Sequence, residues 1–65
     1  MKSYSSREII KALLKDGWRE CGCDGDHHQF KHNVKPGKVT VPHPRKDMPI
    51  RTLKSIEKQS GLKFK

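Results

Sequence analysis

An α+β fold of order α-β-β-β-α, a three-stranded antiparallel sheet with two helices on one face, is predicted by three features of the chain. Apolar residues first recur at helical spacing, then alternate with polar ones at a period of two, then return to helical spacing after Asp47. Glycine and proline mark the changes of period, at Gly17, Gly25, Pro36-Gly37, Pro42 and Gly61. With 65 residues the chain is expected to form one domain, residues 1–65. A domain of that size buries only about 60% of its unfolded surface, so any site should lie on a face or in a shallow groove.

Each element has its own signal. Ser5-Ser6-Arg7-Glu8 is a helix start in which Ser5 caps and Glu8 reaches back. Ile9, Ile10, Leu13 and Leu14 then form one apolar stripe, and Asp16-Gly17 stops a helix running from Ser6 to Lys15. A first strand is expected over Trp18–Cys23, weakened by Gly22, with a turn at Asp24-Gly25. The second strand spans His27–His32. Lys35-Pro36-Gly37-Lys38 fits a type II turn into a third strand, Lys38–Val41, which Pro42-His43-Pro44 ends. Asp47 suits the cap of a second helix with Pro49 in its first turn; Ile50, Leu53 and Ile56 would face the sheet, and Gly61 closes it.

Charge is divided unevenly. Residues 1–30 carry five basic and five acidic side chains, whereas residues 31–65 carry ten basic side chains against Asp47 and Glu57, the whole of the +8. A one-sided positive field points to nucleic acid first, an acidic protein second and a membrane surface third. The longest aliphatic run, Ala12-Leu13-Leu14, is far too short to span a bilayer. The chain is therefore expected in the cytoplasm, with Cys21 and Cys23 reduced. Those cysteines are expected to point the same way along their strand as small buried fillers. Zinc on Cys21, Cys23, His27 and His28 is the lesser reading, because no second spaced ligand pair follows; no metal or cofactor is expected.

Alternation sorts the histidines. If Phe30 points into the core, His28 and His32 share its side and are expected to be structural, while His27, Gln29 and Lys31 face solvent. His43, between two prolines, has two readings, a second acid–base group or a residue that fixes the exit turn, and the latter is the simpler. On residue chemistry alone, His27 reads most simply as an exposed histidine that only hydrogen-bonds.

The order of motifs from Ser6 to Leu62 resembles the HicA family, the toxins of bacterial HicA–HicB toxin–antitoxin pairs. The resemblance rests on Asp16-Gly17-Trp18, Gly25-x-His27-His28-Gln29-Phe30, Lys35-Pro36-Gly37, Val39-Thr40-Val41-Pro42-His43-Pro44, Lys46-Asp47, Pro49-Ile50 and Gly61-Leu62. It implies a fold like a double-stranded-RNA-binding domain and an mRNA interferase activity held silent by a HicB antitoxin. It also implies that His27 is the catalytic residue. Asp26 stands where the family usually has Ser, and together with Asp24 it should weaken phosphate binding nearby. RNA contacts are expected from Gln29, Lys31, Lys35, Lys38, Arg45 and Lys46, with Arg51 and Lys54 extending the basic patch. The rivals are a non-catalytic RNA-binding module using the same face, and a zinc-stabilised interaction domain.

Overall fold

The computed structural model describes residues 3–64. Its elements are α1 (Ser6–Lys15), β1 (Arg19–Asp24), β2 (His27–Lys31), β3 (Lys38–Pro42) and α2 (Ile50–Ser60), the predicted α-β-β-β-α order. The strands form one antiparallel sheet, β1-β2-β3.

The start of α1 satisfies its own free amides. Ser5 accepts a hydrogen bond from the Glu8 backbone, and Glu8 Oε1 accepts one from the Ser5 N–H at 3.0 Å. Such a cap stabilises a helix by about 1 kcal/mol. Beyond Asp16 the chain reverses at Gly17, with φ 104°, where an added Cβ would also approach Nε2 of His32 to 2.8 Å. A side chain there would be strained twice over.

One core lies between the helices and a single face of the sheet. Ile9 and Leu13 of α1, Leu53 and Ile56 of α2, and Phe30, Val39 and Val41 of the sheet are its centre. Two expected members fall outside it. Leu14 is 53% exposed and Ile50 is 56% exposed. Both misses come from spacing: a helix turns once in about 3.6 residues, so Leu14 lies roughly 140° around α1 from Ile9, and two steps of three carry Ile50 some 120° away from Ile56. Asp47 does not cap α2. Pro49 holds that position without a side-chain bond, and Asp47 Oδ1 instead accepts from Ser3 Oγ at 2.6 Å. Gly61 closes α2 in the left-handed conformation as expected.

The first strand departs most from expectation. Pairing runs Asp24↔His27, Cys23↔His28 and Gly22↔Gln29, then slips by one residue to Glu20↔Phe30 and Arg19↔Lys31. Cys21 is the extra residue of a β-bulge, next to the glycine that makes it easy. The hairpin turn falls on Gly25-Asp26, one residue later than expected. Both cysteines are free and exposed, which overturns their assignment as buried fillers. The bulge ends their shared parity, and the helices make their main sheet contacts with β3, the strand farthest from β1.

Candidate active site on the open sheet face

Phe30 is buried and its face of β2 meets the helices, so His27, Gln29 and Lys31 occupy the opposite, open face. Register then fixes three cross-strand rows on that face. Asp24, His27 and Pro42 form the first, Gly22, Gln29 and Thr40 the second, and Arg19, Lys31 and Lys38 the third. The rows grade from acidic to basic along the strands. About 13 Å separates the first from the third, at about 3.3 Å per residue. Three cations directly opposite one another repel, a cost a sheet recovers when an anion bridges them.

His27 is 58% exposed in its side chain, and its Nε2 lies 3.8 Å from Asp26 Oδ1. The other carboxylate oxygen, Oδ2, accepts from Arg45 Nη2 at 3.5 Å. The His43 N–H donates to the Asp26 carbonyl at 2.7 Å, which ties the β1–β2 turn to the exit of β3. One carboxylate thus sits between a titratable imidazole and a guanidinium, both open to solvent. A phosphate arriving there would meet both groups and compete with Asp26 for each.

The other histidines contact protein groups through their ring nitrogens. His32 Nε2–H donates to the Asp16 carbonyl at 2.8 Å, while Nδ1 accepts the Val34 and Lys35 amides at 2.9 and 3.1 Å. Its ring meets Trp18 edge-on with centroids 5.2 Å apart. His43 Nδ1 lies 2.6 Å from the buried Ser6 Oγ, which also accepts from the Arg45 N–H at 2.8 Å. His28 Nδ1 bonds Glu20 Oε2 at 2.7 Å.

The expected RNA-contact residues divide. Gln29, Lys31 and Lys38 share the open face with His27, and Arg45 reaches its acidic end. Lys46 lines an adjoining shallow groove with Arg7 and His43. Lys35 is engaged elsewhere: its Nζ bonds Asp16 Oδ2 at 2.6 Å and the Ser60 carbonyl at 3.2 Å, joining the ends of both helices. That ammonium holds the Asp16 carboxyl below its ordinary pKa. Arg51 and Lys54 belong to α2, on the covered side of the sheet. Arg19 was missed, because without a bulge it would count onto the helix side.

The result is a small basic α-β-β-β-α domain whose open sheet face carries an exposed histidine and a row of cations. The family model described as the HicA toxin of bacterial toxin–antitoxin matches residues 6–62, most of the chain. The chain belongs to the HicA toxin family. It is therefore a toxin-type protein with an antitoxin counterpart. No curated protein matches it at a significant level. Among the described residues no helix is long and apolar enough to cross a membrane.

Proposed function

We propose that the chain is an mRNA interferase, an endoribonuclease that cleaves mRNA in the cytoplasm with His27 as its acid–base residue and is neutralised by a HicB antitoxin. The observation that supports this most directly is the open face itself. It carries an exposed imidazole at one end and the Arg19–Lys31–Lys38 row at the other, with Arg45 beside the imidazole.

The chemistry follows from what that face offers. RNA phosphates settle on the cationic row and on Arg45, which displaces Asp26 from the guanidinium. His27 then takes the proton of a ribose 2′-OH, whose oxygen attacks the adjacent phosphorus, or protonates the departing 5′-oxygen. The nucleophile belongs to the substrate, so the step asks the protein only for placement, charge and a proton carrier. Asp26 opposes binding, since its carboxylate competes with the phosphate for both cations. An acidic HicB surface laid over this face would mask His27, with fast and salt-sensitive association.

RNA cleavage by the purified chain in EDTA tests the reading. Wild type should cut and His27→Ala should not. An active His27→Ala protein overturns the assignment. RNA binding without cleavage by wild type would instead support a non-catalytic module.

A further inference from the structure

The bulge at Cys21 assembles a second group of reactive side chains that the RNA site does not use. An unbroken count from the hairpin turn would put Glu20 and Cys23 on opposite faces of β1. The slip puts Glu20 opposite Phe30 and Cys23 opposite His28, so both share the face of His28. There Glu20 Oε2 accepts the Nδ1–H of His28 at 2.7 Å, and Nε2 of the same ring lies 3.7 Å from Cys23 Sγ. With Nδ1 carrying the hydrogen, Nε2 presents a lone pair to the thiol. The ring is only 23% exposed in its side chain and is flanked edge-on by His43, with centroids 5.2 Å apart. The thiol hydrogen has two acceptors, this nitrogen and the Gly25 carbonyl at 3.2 Å.

We propose that Cys23, His28 and Glu20 form a nucleophilic thiol site that exchanges with small-molecule disulfides. A nucleophile, a base in reach of it and a carboxylate that orients the base are the parts such a site needs. Nε2 takes the Cys23 proton as Sγ attacks one sulfur of the disulfide. The S–S bond of the reagent breaks, a mixed disulfide forms on Cys23, and the departing thiolate recovers the proton from His28. The reagent is the only oxidant, and one thiol is released for each thiol consumed. The ligand atoms of Glu20, Cys23 and His28 lie within 4.8 Å of one another, near enough for a metal ion. A metal using all three would have to draw Glu20 from its bond to Nδ1 and would still want another ligand. The resting geometry is the one a thiol relay uses. Glu20 is a positioning residue, acting through His28.

Cys21 is the internal control. It is also exposed, and its thiol makes no hydrogen bond among the described residues. The protein is treated with an aromatic disulfide, and separately with glutathione disulfide, in EDTA, and each cysteine is followed by mass spectrometry. Cys23 should react faster than Cys21 by on the order of 10²-fold, the lower end of what one placed acid–base group supplies. His28→Ala should bring the two rates together, and Glu20→Ala should narrow the gap. Glu20 is exposed, so its variant decides the matter even if His28→Ala fails to fold. Equal rates at both cysteines of wild type, or a gap unchanged in folded Glu20→Ala and His28→Ala proteins, overturns the proposal. RNA cleavage is not the readout, so this result stands apart from the assignment of His27.

Discussion

The two faces of the sheet use histidine in opposite ways. On the helix side, His28 and His32 have both ring nitrogens in contact with protein groups, and His32 bonds three backbone groups through its two. On the open face, His27 has one carboxylate at 3.8 Å and a majority of its side chain in solvent. Neighbours in sequence, His27 and His28 differ by a single step of the pleat, and that step separates a ring open to solvent from one held between protein groups. Residue type carries no information about this distinction. Position relative to the buried Phe30 carries all of it.

Alanine at each kind of histidine tests the difference most directly. His27→Ala should lower RNA cleavage on the order of 10²- to 10⁴-fold while leaving thermal stability unchanged. His32→Ala should do the reverse in kind. It leaves the Asp16 carbonyl and two amides without their partner and opens a gap against Trp18, at a cost of about 2–4 kcal/mol. That is a large share of the stability of so small a domain. Paired melts and cleavage assays check both, and a stability loss in His27→Ala equal to that in His32→Ala would erase the distinction.

A second test separates cations that face the ligand from cations that hold the fold. Replacing Lys31 or Lys38 by Ala should make the plot of log affinity against log salt, for a non-cleavable single-stranded RNA, shallower by about 0.7 for each phosphate no longer neutralised. Lys35→Ala should leave that slope alone and lower the melting temperature, since its ammonium joins Asp16 to the end of α2. A slope that responds to Lys35 and ignores Lys31 would move the RNA off the open face.

The smallest effect belongs to the same bridge. The Lys35 hydrogen bond and charge lower the Asp16 pKa from its ordinary 3.8, and the Trp18 indole N–H adds to this. A depressed carboxyl stabilises the fold above the unfolded value. The contribution is lost as the pH falls below 3.8 through the folded value. An acid titration of stability should therefore show a step in that range for wild type that is reduced in Lys35→Ala.

Much of this was legible in the chain. Capping at Ser5, the stop at Gly17, Val39 and Val41 on one face, and the parity of β2 about Phe30 all follow from local rules that the structure obeys. The bulge was not read, and it moved three residues at once. Counted without interruption from the turn, Trp18 and Glu20 fall on the open face and Arg19 on the helix side. Trp18 is fully buried, Glu20 joins His28, and Arg19 completes the cationic row. The signal was present: a tryptophan counted onto the wet face, with a glycine between it and the turn, asks for one extra residue. The cap of α2 was unreadable for another reason. Asp47 is spent on Ser3, 44 residues away, and no local pattern reports so distant a partner.

The strand order leaves β1 and β3 as outer strands, each a row of backbone groups on which another chain can add itself. On β3 the Thr40 N–H that would invite a neighbour is taken by Gln59 Oε1 at 3.2 Å, and Pro42 ends the ladder. On β1 the bulge breaks the straight run between Glu20 and Gly22, and Arg19, Glu20 and Asp24 set charges along the edge. A bent, charged border is a poor template for stacking sheet on sheet. The irregularity that re-sorts the side chains also guards the protein against clumping with its own copies when it accumulates.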